Sequence, residues 1–139
     1  MKKKLLPENR PNTALIYVRV SSKEQTHGYS LGSQEKACVE YCKQNGWEVL
    51  KVFIEEGESA KTADRTKLIL MQEYCMKNMG KVGYIVVWKL DRFSRNTYDH
   101  LMLRKYFSGV GVGLKSATEI IENTPIGKAS EGMLSIMAQ

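Results

Sequence analysis

The 139-residue sequence has three cysteines, two histidines, three prolines and no apolar run near the length of a membrane span. Cys38, Cys42 and Cys75 are odd in number and form no CxxC pair. That argues against a disulfide framework and a zinc site, and fits a reducing, cytoplasmic setting. Cys38 and Cys42 stand four apart on a predicted helix, where free cysteine behaves as a small buried hydrophobe. His27 and His100 have no partner at metal-ligand spacing and read as surface residues. A bilayer span needs roughly 20 apolar residues, and Leu5-Leu6-Pro7 is too short for the apolar region of a secretory signal. Eleven glycines and three prolines without a period exclude collagen and low-complexity disorder.

What is present is an ordinary globular composition, 42% hydrophobic and 26% charged, in a length that suits one domain. The net charge of +6 invites a polyanionic partner. Half of that excess sits in residues 1–12, where Lys2, Lys3, Lys4 and Arg10 face only Glu8. This segment reads as a flexible basic arm. The body, 13–123, carries the rest.

Periodicity predicts alternating strands and helices. Residues 13–20 (TALIYVRV), 47–55 (WEVLKVFIE) and 84–88 (YIVVW) read as strands, and 110–117 as a glycine-weakened fourth. A helix capped by Ser30 and ended by Gly46 follows the first strand, and Leu68, Met71, Cys75 and Met79 mark a second, stopped by Gly80. Tyr98, Leu101, Met102, Leu103, Tyr106 and Phe107 mark a third. Thr124 before Pro125 opens a last helix, 124–139, whose stripe Ile126, Ala129, Met133, Met137 has no stop signal, as expected of a longer helix cut short. The alternation predicts an α/β fold: an open, largely parallel four- to five-stranded sheet flanked by helices. Gly109–Gly113 faintly suggests a dinucleotide loop, but it follows a helix instead of joining strand to helix.

In such sheets, sites lie outside the carboxyl ends of the strands. There the sequence places Ser21-Ser22, then 55–65, then Asp91–Arg95. Tyr17, Arg19 and Ser21 share one strand face. An arginine turned into a sheet face is costly unless an anion meets it. Asp91 can orient Arg92 or Arg95, and Arg65 can add a further guanidinium. Several forks around a hydroxyl, with no histidine of the hydrolase kind, make a phosphate site and favour phosphoryl transfer over acyl transfer. Ser21 is favoured over Ser22 by the period of two. Ser94 reads as a turn residue, and Lys89 is a DNA contact or simply a solvated lysine.

The segments YVRVSSKEQ (17–25), SLxxQ (30–34), FIEEGESAKTADR (53–65), VVWKLDRFSR (86–95) and TPIGKASEGMLSIMAQ (124–139) resemble the catalytic domain of serine site-specific recombinases, the resolvase/invertase family. The likeness covers about 13–139. The spacing between Ser21 and Gln34 is most like the large serine recombinases of phages and mobile elements.

The resemblance implies that Ser21 attacks a DNA backbone phosphate to give a 5′-phosphoserine link and a free 3′-hydroxyl. Arg19, Arg92 and Arg95 would grip the phosphate, with Arg65 assisting and Asp91 orienting the arginines. Gln25, Gln34, Ser59, Glu55 and Lys89 would support the site or the DNA. No cofactor, metal or ATP is implied. The implied partners are double-stranded DNA and a second copy of the chain, in a homodimer along the last helix that assembles to a tetramer, with the DNA-reading domains beyond residue 139. Glu55 departs from the family's more usual aspartate, and Ala60-Lys61 from its glycine. Two other readings stand beside this one: a non-catalytic interaction module that kept the fold, and an unrelated flavodoxin-like phosphate-binding protein.

Overall fold

The computed structural model describes residues 9–20, 31–56, 65–90, 93 and 96–137. Four strands, β1 (Thr13–Val20), β2 (Glu48–Glu56), β3 (Tyr84–Val87) and β4 (Gly113–Ser116), form one sheet in the order β2-β1-β3-β4. Every pair is parallel. The helices are α1 (Leu31–Gln44), α2 (Thr66–Lys77), α3 (Thr97–Gly109) and α4 (Pro125–Met137), with a 3₁₀ turn at Ile121–Asn123. The open parallel α/β sheet expected from the alternation is therefore present, with four strands among the described residues.

Alternation along β1 divides the core. Ala14, Ile16 and Val18 join Cys38, Cys42 and Val86 under α1. Leu15 and Tyr17 join Phe53, Leu68, Met71, Val87, Phe93 and Phe107 under α2 and α3. All three cysteines are free and buried, and burial pushes the thiols of Cys38 and Cys75 up to about 12 and that of Cys42 up to about 11. Such thiols stay protonated and unreactive at neutral pH.

Local signals set most of the boundaries. Gly46 and Gly80 take positive φ just beyond α1 and α2. Thr124 Oγ1 accepts from the Gly127 amide at 3.0 Å, capping α4 as its sequence suggests. The fourth strand is shorter than 110–117. Gly111, at φ +77°, turns the chain there, so Val110 and Val112 are buried in a turn and pairing starts at Gly113.

Two expectations for α3 fail. His100 is not a surface residue but is fully buried, while Tyr98 is 67% exposed. The helix turns His100, Leu101, Leu103 and Phe107 inward, so its buried stripe is centred nearer His100 than the aromatic pattern suggests. At the other end of the sheet, Arg10, the last charged residue of the basic arm, is docked. Its Nε donates to the Gly111 carbonyl at 3.3 Å, and its guanidinium lies over the Tyr84 ring.

Candidate active site

The strand order reverses between β1 and β3, and open parallel sheets place their sites at the carboxyl ends of the strands at such a switch point. Register fixes what borders it. Arg19 of β1 lies beside Glu55 of β2, and Tyr17 lies between Phe53 and Val87. Arg19 is buried on the same side of the sheet as Tyr17.

Glu55 organises the β2 side of this edge. Its carboxylate accepts the Tyr17 hydroxyl at 3.2 Å and the backbone amides of Lys67 and Leu68 at 3.1–3.4 Å. Those amides are free donors in the first turn of α2, whose N-cap residue, Arg65, makes no side-chain cap bond. A carboxylate on the neighbouring strand thus caps the helix and meets its positive end. Glutamate in place of the expected aspartate still fills a defined structural role. Burial, and then the Glu55 charge, push the Tyr17 phenol up to about 12, so it stays a neutral donor.

Arg65 bridges α2 to the segment after β3. Its Nη1 meets Asp99 Oδ2 at 2.9 Å, with both side chains largely shielded, and its Nη2 donates to the Phe93 carbonyl. Its Nε is buried without a partner among the described residues. Asp99 is itself fixed, because its amide donates to Asn96 Oδ1 at 2.8 Å in the N-cap of α3.

The segment after β3 is also held from the end of β4 and the residues that follow it. The Trp88 carbonyl accepts from Ser116 Oγ at 2.9 Å and Thr118 Oγ1 at 2.8 Å, and the Leu90 amide donates to Glu119 Oε1 at 2.7 Å. The Phe93 ring is buried edge-on to Tyr17. Leu90 and Phe93, the chain neighbours of Asp91 and Arg92, are therefore anchored from three elements.

Among the sequence candidates, Arg19, Glu55 and Arg65 are brought to one edge and one face. Gln34 lies on the other layer. It is fully buried in line with Cys38 and Cys42, and neither atom of its amide has a partner among the described residues. Lys89 is exposed, with Nζ 5.0 Å from the Trp88 ring centre. Ser21, Gln25, Ser59, Asp91, Arg92 and Arg95 lie outside the described residues, as do Ser22 and Ser94. The sequence reading did not single out Asp99 or Glu119. Asp99 had a faint signal, since Asn96 and Asp99 have cap spacing. Glu119 had none, because its partner is 29 residues away.

Comparisons with known proteins agree with this architecture. The family model described as "Resolvase, N terminal domain" matches residues 14–139. The N-terminal catalytic domain of TP901-1 integrase superposes with a TM-score of 0.74 at 26% identity, covering 91% of this chain and 93% of that one. A resolvase family site-specific recombinase from Streptococcus pneumoniae gives 0.69 at 25% identity, covering 91% and 87%. The DNA-invertase of Escherichia phage P1 is 27% identical over 124 residues, which span 88% of this chain but only 59% of the invertase. An uncharacterized immunity region protein of Bacillus phage phi105 is 46% identical over 68 residues, 48% of this chain and 83% of that protein. The matched span, the parallel sheet and the edge built from Arg19, Glu55 and Arg65 lead to one conclusion: this chain belongs to the resolvase family and is a serine recombinase catalytic domain.

Proposed function

We propose that this domain cleaves and rejoins double-stranded DNA through a covalent phosphoserine intermediate. Ser21 is the nucleophile. Its oxygen attacks a backbone phosphorus, the bond from phosphorus to the deoxyribose 3′-oxygen breaks, and a 5′-phosphoserine ester forms as the 3′-oxygen leaves with a proton. The reverse attack by a 3′-hydroxyl reseals the strand. The ester retains the energy of the broken link, so no ATP is consumed. Arg19, Arg92 and Arg95 offset the charge that grows on the phosphate oxygens, with Arg65 assisting. Asp91 orients the arginines. Gln25, Gln34, Ser59 and Lys89 support the phosphate or the flanking DNA.

The observation that carries this reading is the carboxyl edge of β1. Buried Arg19 is the penultimate residue of that strand, and Ser21 follows its last residue in the chain. The segment bearing Asp91, Arg92 and Arg95 follows β3, the strand on the other side of that switch point. Arg19 and Arg65 are buried at this edge, and guanidinium forks match phosphate oxygens. The working form is a homodimer that pairs into a tetramer in the cytoplasm, with contacts along α4, where Ile136 is exposed. Residues 1–12 act as a basic arm that adds salt-sensitive DNA affinity.

The test is covalent capture. Full-length protein is incubated with a duplex DNA library, and protein–DNA adducts are recovered under denaturing conditions. Wild type and Ser22→Ala should yield an adduct, and Ser21→Ala none. An adduct that persists in Ser21→Ala would displace the nucleophile. No adduct from wild type would favour a non-catalytic module that kept the fold.

A further inference from the structure

Asp99 has so far served only as the partner of Arg65. We propose that Asp99 is a positioning residue for strand cleavage, holding Arg65 in the orientation the reaction uses; this rests on the recombinase reading above.

An arginine side chain turns about four bonds, and a guanidinium aids a phosphate only when its plane is fixed. The Arg65 guanidinium lies beside the Tyr17 hydroxyl and is held by two further groups. The Phe93 carbonyl takes Nη2, and Asp99 Oδ2 takes Nη1 at 2.9 Å. The two side chains keep only 10% and 14% of their exposure, so this pair is little screened by water. Asp99 does not drift with its partner. It sits in the first turn of α3, where the helix favours an anion, and its amide is bonded to Asn96. The grip leaves Arg65 with donor capacity, since its buried Nε meets no acceptor among the described residues. The hold also passes through Arg65 to Phe93, the residue that separates Arg92 from Ser94. One carboxylate on a rigid helix therefore governs two cationic elements of the edge.

A purely structural ion pair predicts a loss of stability and nothing else. A competitor for the guanidinium predicts faster cleavage once it is removed. Positioning predicts slower chemistry with unchanged binding. The experiment measures single-turnover adduct formation by full-length protein on duplex DNA that wild type has selected from the library, with DNA in excess. Asp99→Asn should slow the step about 10- to 100-fold, the scale of a misplacement near 1 Å, while the Kd for the same DNA stays within about twofold. Asp99→Glu, which keeps the charge, should recover part of the rate and guards against a folding defect. Arg65→Ala combined with Asp99→Asn should be no slower than Arg65→Ala alone, because the two act as one unit. A nitrogen-15 spectrum of the arginine side chains without DNA should show restricted rotation of the Arg65 guanidinium that is released in Asp99→Asn. Wild-type or faster cleavage by Asp99→Asn, additive rate losses or an unchanged Arg65 signal would each overturn the assignment of Asp99 while leaving the recombinase reading in place. Failure of wild type to form any adduct would remove both.

Discussion

The two faces of β1 begin alike and end differently. Under α1, Ala14, Ile16 and Val18 pack in an apolar cluster with Val86 and two protonated thiols. Under α2 and α3, Leu15 is followed by Tyr17 and then Arg19, and the layer passes from hydrocarbon to a bonded set of Tyr17, Glu55, Arg65 and Asp99. One strand thus seals the fold on one side and builds chemistry on the other. Burying charge is costly unless partners meet it. That constraint explains why the charged set is confined to the carboxyl end, where free helix amides and a second charged residue are in reach. The fold supplies those partners through topology alone, because the crossover from β2 delivers the start of α2 beside Glu55.

Breaking the charged face should have the largest effect. Glu55→Ala removes the acceptor of two helix amides and the Tyr17 hydroxyl at once. A loss of about 3 kcal/mol is expected from buried donors left without a partner. Glu55→Gln keeps one acceptor oxygen and should cost about 1 kcal/mol. On the sealing face, Ile16→Val deletes one buried methylene and should cost about 1 kcal/mol. Urea midpoints of the three variants test the contrast. A Glu55→Ala loss no greater than that of Ile16→Val would mean that the bonded set adds nothing beyond ordinary packing.

Gln34 sharpens the comparison from the other side. It is the polar exception in the sealing layer, fully buried with an amide that meets no described partner. Replacing such a group with a hydrocarbon of similar size removes a desolvation cost. Gln34→Leu should therefore raise stability by about 1 kcal/mol while lowering adduct formation, the trade expected of a residue kept for function. A loss of stability would instead assign the amide a structural partner.

The strands were legible because their signals are local. Residues 13–20 and 84–88 are short apolar runs bounded by polar turns, and the structure keeps them to within a residue. The fourth strand was overextended because the valines around Gly111 have strand character whether or not they pair. Pairing depends on register with β3, which no local window contains. The site divides in the same way. Arg19, Glu55 and Arg65 stand out as charges at strand and helix ends. Asp99 and Glu119 are equally charged but gain their meaning from partners 34 and 29 residues away. His100 was misplaced for a related reason. Histidine has no fixed preference for core or surface, and its neighbours in sequence, Tyr98 and Met102, point outward.

His100 carries the smallest expected effect, a pH dependence that levels off at neutral pH. The ring is fully enclosed on the inner side of α3, and neither nitrogen has a partner among the described residues. Burial lowers its pKa below 6.5. Arg104, one turn along the helix, pushes it the same way, and Asp99 opposes both. The folded protein therefore binds a proton less readily than the unfolded chain. With that sign, the group's contribution to stability is complete above about pH 6.5 and is lost as the pH falls. The loss can be no steeper than about 1.4 kcal/mol per pH unit, the limit for one proton. Wild type and His100→Leu should thus differ by a constant amount between pH 7 and 8 in urea unfolding, and the gap should shift in favour of the leucine variant toward pH 5.5. A gap independent of pH would mean that the ring finds a proton acceptor in the folded state. The polar set on the α2 and α3 side of the sheet would then reach past Asp99 into the buried stripe of α3 at His100.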